Sequence, residues 1–144
     1  MAPSEILFRA KHLRDEFYLG KIIPKGKWLK GWYFLNQRKQ ETEHCLIMPY
    51  MNGEKGRTEL VINPDTLCQF TGLHDVNKKP IYQGDIIKDE VGEIYEVCWY
   101  DDLAAFIAEM VCNEKPFMMM DIDPDKCEII GNIYDNPELL KITI

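Results

Sequence analysis

The chain has 144 residues, 46% hydrophobic and 11% aromatic, with 17 Lys and Arg against 24 Asp and Glu for a net charge of −7. That length suits one domain, or one domain with a small companion, and the composition excludes a largely disordered chain. No apolar run reaches the roughly 18–20 residues of a membrane helix, and residues 1–10 lack the charged-then-apolar plan of a signal peptide, so the expected setting is cytoplasmic, away from any membrane.

In chain order, strands are predicted over residues 6–10 and 17–23. Residues 28–35 are aromatic and apolar. At period two, Trp28, Lys30, Trp32 and Phe34 share one face, and Leu29, Gly31, Tyr33 and Leu35 the other. Lys25-Gly26 and Lys30-Gly31 punctuate this part. Residues 45–50 and 58–62 flank Asn52-Gly53 and read as a hairpin with a long loop. A boundary is expected near Asn63-Pro64-Asp65-Thr66, where a turn is favoured and the charge balance changes. Residues 1–60 carry 11 Lys and Arg against 7 Asp and Glu, whereas residues 61–144 carry 6 against 17. The division proposed is a β-rich N-terminal part, 1–63, and a C-terminal small β-barrel, 64–144.

In the second part, residues 80–88 are an apolar run broken by Gly84-Asp85, and Val91-Gly92 reads as a turn. Residues 93–100 alternate, placing Tyr95, Val97 and Trp99 on a core face. Residues 103–110 read as a strand with Ala104, Phe106, Ala108 and Met110 on one face. Residues 126–134 form a further run in which Gly131 marks a bulge or sharp bend. Asn136 is placed as an N-cap, with Pro137 at the first position of one helical turn. Short strands bent by glycines predict a mainly β chain with a small barrel and little helix.

Three stretches together resemble the YopX family of phage and prophage proteins: Ile6-Leu7-Phe8-Arg9-Ala10; Gln69-Phe70-Thr71-Gly72-Leu73-His74-Asp75 followed by Ile81-Tyr82-Gln83-Gly84-Asp85-Ile86-Ile87; and Ile130-Gly131-Asn132-Ile133-Tyr134 followed by Asn136-Pro137-Glu138-Leu139-Leu140. The chain departs from the family at Asn77-Lys78-Lys79-Pro80, where the family tends to have Asn-Gly before the Ile-Tyr step. It departs again at 101–106, which lacks a glycine before the aromatic. The resemblance implies a C-terminal SH3-like barrel, a β-containing N-terminal part and self-association, and it implies no particular activity. Read residue by residue, the shared motif is scaffolding. Thr71 and Gly72 mark a turn where glycine tolerates positive φ, Tyr82 supplies core, and Asp85 after Gly84 accepts backbone hydrogen bonds at a tight bend. Gly131, Asn132 and Pro137 are the corresponding residues of the third stretch.

The search for chemistry yields little. The five cysteines (Cys45, Cys68, Cys98, Cys112, Cys127) are an odd number without close pairs, so reduced, mostly buried thiols are expected. His12, His44 and His74 are far apart, with no Cys-x-x-Cys or His-x-x-x-His, and no metal or cofactor is expected. Asp121-Ile122-Asp123-Pro124-Asp125 alternates carboxylates as a calcium loop does, but has Lys126 for the glycine and Asn132 for the bidentate glutamate. Gly20 to Lys27 lacks phosphate-loop spacing. Ser4 is the only serine, and no base is placed beside a nucleophile, so no enzyme and no small-molecule substrate are expected.

Residues 9–39 stand out, with nine Lys and Arg against Asp15 and Glu16, interleaved with aromatics. Lys21, Lys25, Lys27, Lys30 and Trp32 are the candidate contacts. Three readings stay open: an aromatic core with a solvated reverse, a pairing of this basic half with the acidic half within or between subunits, and nucleic acid held by phosphate neutralisation and stacking. The expected partner is a second copy of the chain or a phage or host protein. The expected function is a non-enzymatic, interacting or self-associating phage-type accessory protein, with weak nucleic-acid binding as the alternative.

Overall fold

The computed structural model describes residues 7–18, 20–37, 42–49 and 57–141. The expected hairpin tip at Asn52-Gly53, Ile6 of the first predicted strand, and Ser4 lie outside the described residues. The fold is mainly β. Its strands are β1 (Phe8–Lys11), β2 (Glu16–Tyr18), β3 (Lys21–Ile23), β4 (Trp28–Asn36), β5 (Glu43–Pro49), β6 (Arg57–Val61), β7 (Cys68–His74), β8 (Pro80–Tyr82), β9 (Asp85–Lys88), β10 (Ile94–Tyr100), β11 (Ala105–Met110), β12 (Pro116–Met118) and β13 (Glu128–Asn132). They form three sheets, ordered β6-β5-β4-β1-β7-β8, β12-β11-β10-β9-β13 and β2-β3. None of these is closed into a barrel, so the expected architecture holds for its β class and not for its closure. The chain divides into two compact units, Met1–Gln69 and Phe70–Ile144, with the division inside β7.

In the first unit, β1 pairs antiparallel with β4, matching Ala10 to Leu29, and β4 pairs with β5, matching Tyr33 to Leu46. β6 follows with Leu60 opposite Leu46. Because side chains alternate along a strand, these registers put Ala10, Leu29, Leu46, Met48, Leu60 and Ile62 into one buried cluster, with Phe8 and Tyr33 packed against it. A single bridge, His12 to Ile62, and the bond from Leu13 N–H to Val61 O (3.0 Å) bring the end of β6 beside the end of β1. Gly31 does not punctuate the chain as its sequence context implied. It sits inside β4, where an added Cβ would collide with the backbone carbonyl of Ile47 on β5. Residues 17–23 are likewise not one strand: Gly20, at φ 78°, folds them into the β2–β3 hairpin. Ile23 enters the core, while the cross-strand pair Phe17 and Ile22 is 73% and 66% exposed.

In the second unit, β9 to β12 form a meander and β13 returns beside β9. Ile81, Ile87, Tyr95, Val97, Ala108, Met119 and Cys127 form its core. The register shifts between Ile129 and Gly131, which is the bulge the glycine implied. Two expectations on β10 and β11 are overturned. Trp99 has the parity of Tyr95 and Val97 but lies towards the strand's end, 40% exposed, with its ring edge-on to Phe106 at 5.0 Å. It therefore contributes a surface stack rather than core volume. Ala104 is in the turn before β11, at φ 48°, because the strand starts at Ala105. The Asn136 side chain makes no cap bond. It turns back to accept from Asn132 N–H (3.2 Å), and Pro137–Leu140 is a 3-10 turn.

Candidate interaction face

The parity that buries Leu29 and Tyr33 turns Trp28, Lys30 and Trp32 to the opposite face of β4. The β1 register sets Arg9 opposite Lys30 and Lys11 opposite Trp28, so both β1 cations join that face. The Arg9 guanidinium carbon lies 4.9 Å and the Lys11 Nζ 5.3 Å from the centre of the Trp28 ring. Cations at this distance over an indole are held by its quadrupole. Trp32 is 49% exposed, and the half-buried Ile47 of β5 is its cross-strand partner. The result is a sheet surface of three cations and two indoles.

Of the five residues singled out from sequence, the structure brings together Lys30 and Trp32. Lys21 stands on β3, opposite Tyr18. Lys25 lies in the turn after β3, where its backbone N–H is held by Asp15 Oδ1 (2.7 Å). Lys27 precedes β4 with the parity of Leu29, opposite to that of Lys30. Arg9, Lys11 and Trp28 were the residues missed as members of one face. Only the β1–β4 register places them there, and no local pattern encodes that pairing.

The motif residues lie at turns and strand irregularities, and Thr71 and Gly72 do not form the expected turn but sit inside β7, where the β7–β8 register shifts between Phe70 and His74. Thr71 Oγ1 donates to Ile81 O (2.7 Å) and accepts from Leu73 N–H (3.1 Å), and Gly72 has φ 85°. Gly84 has φ 88°, and the buried Asp85 carboxylate accepts from the N–H of Tyr82 at 2.8 Å. Asn132 Oδ1 accepts from Tyr134 N–H (3.0 Å) and Asp135 N–H (2.9 Å), while a Cβ on Gly131 would lie 2.5 Å from Asn136 Oδ1. Pro137 opens the 3-10 turn. Asp75 belongs with them although sequence reading passed over it. Buried, its carboxylate accepts from Asn77, Lys79 and Ile129 N–H at 2.9, 2.9 and 3.1 Å.

The histidines and cysteines do not converge on one site. His44 Nδ1 is 2.6 Å from the Tyr33 hydroxyl, with the two rings stacked. His74 packs edge-on to Phe70. Among the described residues, no group of three or more His, Cys, Asp or Glu is arranged to hold a metal. The Asp121–Asp125 segment is split by two 3-10 turns about Asp123. All five thiols are free. Burial and the neighbouring Glu96 carboxylate, which takes a hydrogen bond from Cys98 Sγ at 3.1 Å, push the Cys98 thiol far above its ordinary range. Burial, followed by nearby carboxylates, raises Cys127 to about 11 and also raises Cys45. Cys112 alone is exposed. Since the thiolate is the reactive form, a disulfide reagent near pH 8 should modify Cys112 rapidly in the native protein and all five thiols after denaturation, counted by mass shift. A bridge, or a fast second thiol, would contradict this assignment.

A family model, that of the YopX protein family, matches residues 8–141. No curated protein matches the chain.

Proposed function

The chain belongs to the YopX family, and from that premise we propose that it is a phage- or prophage-type accessory protein that works without catalysis, docking on an acidic protein surface, a second copy included. The observation that carries the reading is the half-exposed Trp32 beside Lys30, on a face continued by the Arg9–Trp28–Lys11 stack. Tryptophan and arginine dominate binding energy at protein interfaces because they bury a large area while keeping polar contacts. The charge of −7 favours no generally anionic partner, so recognition rests on this local cationic patch. Nucleic acid is the second reading, favoured by the same indole beside a lysine, which is the pairing that stacks a base and neutralises a phosphate. The dispersal of Lys21, Lys25 and Lys27 away from Lys30 weakens it. Five free thiols fit a reducing compartment such as the cytosol. In architecture we read the second unit's sheet as an SH3-like meander left open.

The test is light scattering over a range of concentration and salt, alongside titration of a labelled single-stranded oligonucleotide, for the wild type and for Trp32→Ala with Lys30→Gln. A self-associating face gives a wild-type mass above the monomer that the double variant lowers, with affinity reduced about thirtyfold if Trp32 is worth ~2 kcal/mol. A nucleic-acid face shows instead as salt-dependent oligonucleotide binding lost in the variant. If the protein is monomeric and binds no oligonucleotide, neither a second copy nor nucleic acid is the occupant of this face.

A further inference from the structure

His12 is 1% exposed at the end of β1, and each ring nitrogen faces a different group. Nδ1 lies 3.2 Å from the carbonyl oxygen of Pro24, just past β3. A carbonyl only accepts, so Nδ1 carries a proton and donates it. In the neutral ring Nε2 is then an unprotonated acceptor. It is buried without a hydrogen-bond partner among the described residues, 3.4 Å from Glu16 Oε1 on β2. Two acceptors face each other across that gap. Adding a proton to Nε2 turns the mismatch into a charge-assisted contact between an imidazolium and a carboxylate.

We propose that His12 is a proton-operated latch fastening the β2–β3 hairpin to the first unit's main sheet. The two groups it touches stand at the two feet of that hairpin, Glu16 where β2 begins and Pro24 where β3 has ended. The Nδ1 bond to Pro24 is present in either state, and protonation adds the tie to Glu16, so that both feet are held by His12. The surrounding charges are consistent with this. Arg14 Nε shares Glu16 Oε1 at 3.3 Å and reaches Glu43 on β5 with its other arm at 3.1 Å, so Glu16 stays in place whichever state His12 adopts. Asp15 is occupied by the backbone of Lys25, and Lys27 meets His12 through its backbone carbonyl. His44, on β5, is turned to Tyr33. A proton on Nε2 gains the Glu16 carboxylate as its partner only while the hairpin is seated, so acid shifts the balance towards fastening and rising pH loosens it. The elements controlled are Ile23 in the core and the exposed Phe17–Ile22 pair on the hairpin's outer side. The latch stands whatever partner the β1–β4 face takes.

The experiment is amide hydrogen exchange of the full chain at pH 7.5 and 5.5, corrected for intrinsic rates, read over residues 14–27. Protection there should rise about three- to tenfold on acidification, as expected for one partly exposed ion pair. Substitution of buried His12 can unfold the unit, so the deciding variant is Glu16→Gln, which keeps the fold and removes the response. Nitrogen NMR of the imidazole supplies a second reading: the neutral form should carry its proton on Nδ1 and gain an Nε2 proton on acidification. Protection independent of pH, a full response in Glu16→Gln, or a neutral ring protonated on Nε2 would each overturn the latch.

Discussion

Gly31→Val is expected to destabilise the N-terminal unit by more than about 3 kcal/mol, the upper end of what overpacking does. The position looks dispensable in sequence, a glycine after a lysine, yet it is the one place in β4 where the neighbouring strand leaves no room for a side chain. A Cβ there would meet the Ile47 carbonyl, with its carbon at 2.9 Å and Met48 Cγ at 3.2 Å. The obstacle is backbone, so no rotamer change relieves it. Either the β4–β5 ladder parts or β4 bends away from the core it shares with Leu46 and Met48. Hydrogen exchange should show protection lost across β4, β5 and β6 and retained across β9 to β11. A variant with wild-type protection in β5 would mean that the two strands are further apart than described.

Asp75→Ala is expected to cost the second unit about 3–5 kcal/mol, for a reason unrelated to packing. The carboxylate is 3% exposed and satisfies three backbone donors, two in its own turn and one, Ile129, on β13. Alanine leaves all three without their acceptor, each at about 1–3 kcal/mol if water cannot reach it, and water reaches the turn more easily than the strand. Asp75→Asn should fall between, since its amide oxygen can still serve the turn while its NH2 faces the Ile129 donor. Chemical denaturation followed by the exchange of β13 amides reads both. Equal stability of Asp75→Ala and wild type would remove Asp75 from the scaffold.

How far the sequence carries can be judged at particular residues. Local signals were legible. Period-two alternation located β4, β10 and most of β11, and Gly131 marked its bulge. Asp85 was recognised as a turn acceptor from its neighbour Gly84 alone. The errors have two physical sources. Strand pairing is non-local, so the joining of Arg9 and Lys11 to Trp28 and Lys30, the reason for Gly31, and the reach of Asp75 to Ile129 had no signature in any short window. Trp99 exposes the second source. Alternation assigns a face but not a depth, and a residue near the end of a strand can share the core parity while standing outside the core. The four lysines and one indole singled out from sequence divide between elements for the same reason, because nearness in sequence across a hairpin does not put side chains on one surface.

The place of β1 between two partners also bears on the order in which the protein takes shape as it is made. One neighbour, β4, arrives within some twenty residues, while the other, at Cys68 and Gln69, is synthesised about sixty residues after Phe8. Until then one edge of β1 carries unpaired peptide groups beside apolar Phe8 and Ala10, and long-range pairings of this kind form slowly. In the second unit β9 to β12 pair in sequence order, and only the far edge of β9 waits, for β13. On the ribosome, β1 is thus the first strand made and the last of its unit to gain its second partner, and the emerging N-terminal sheet is where a chaperone or a misplaced strand finds its opening.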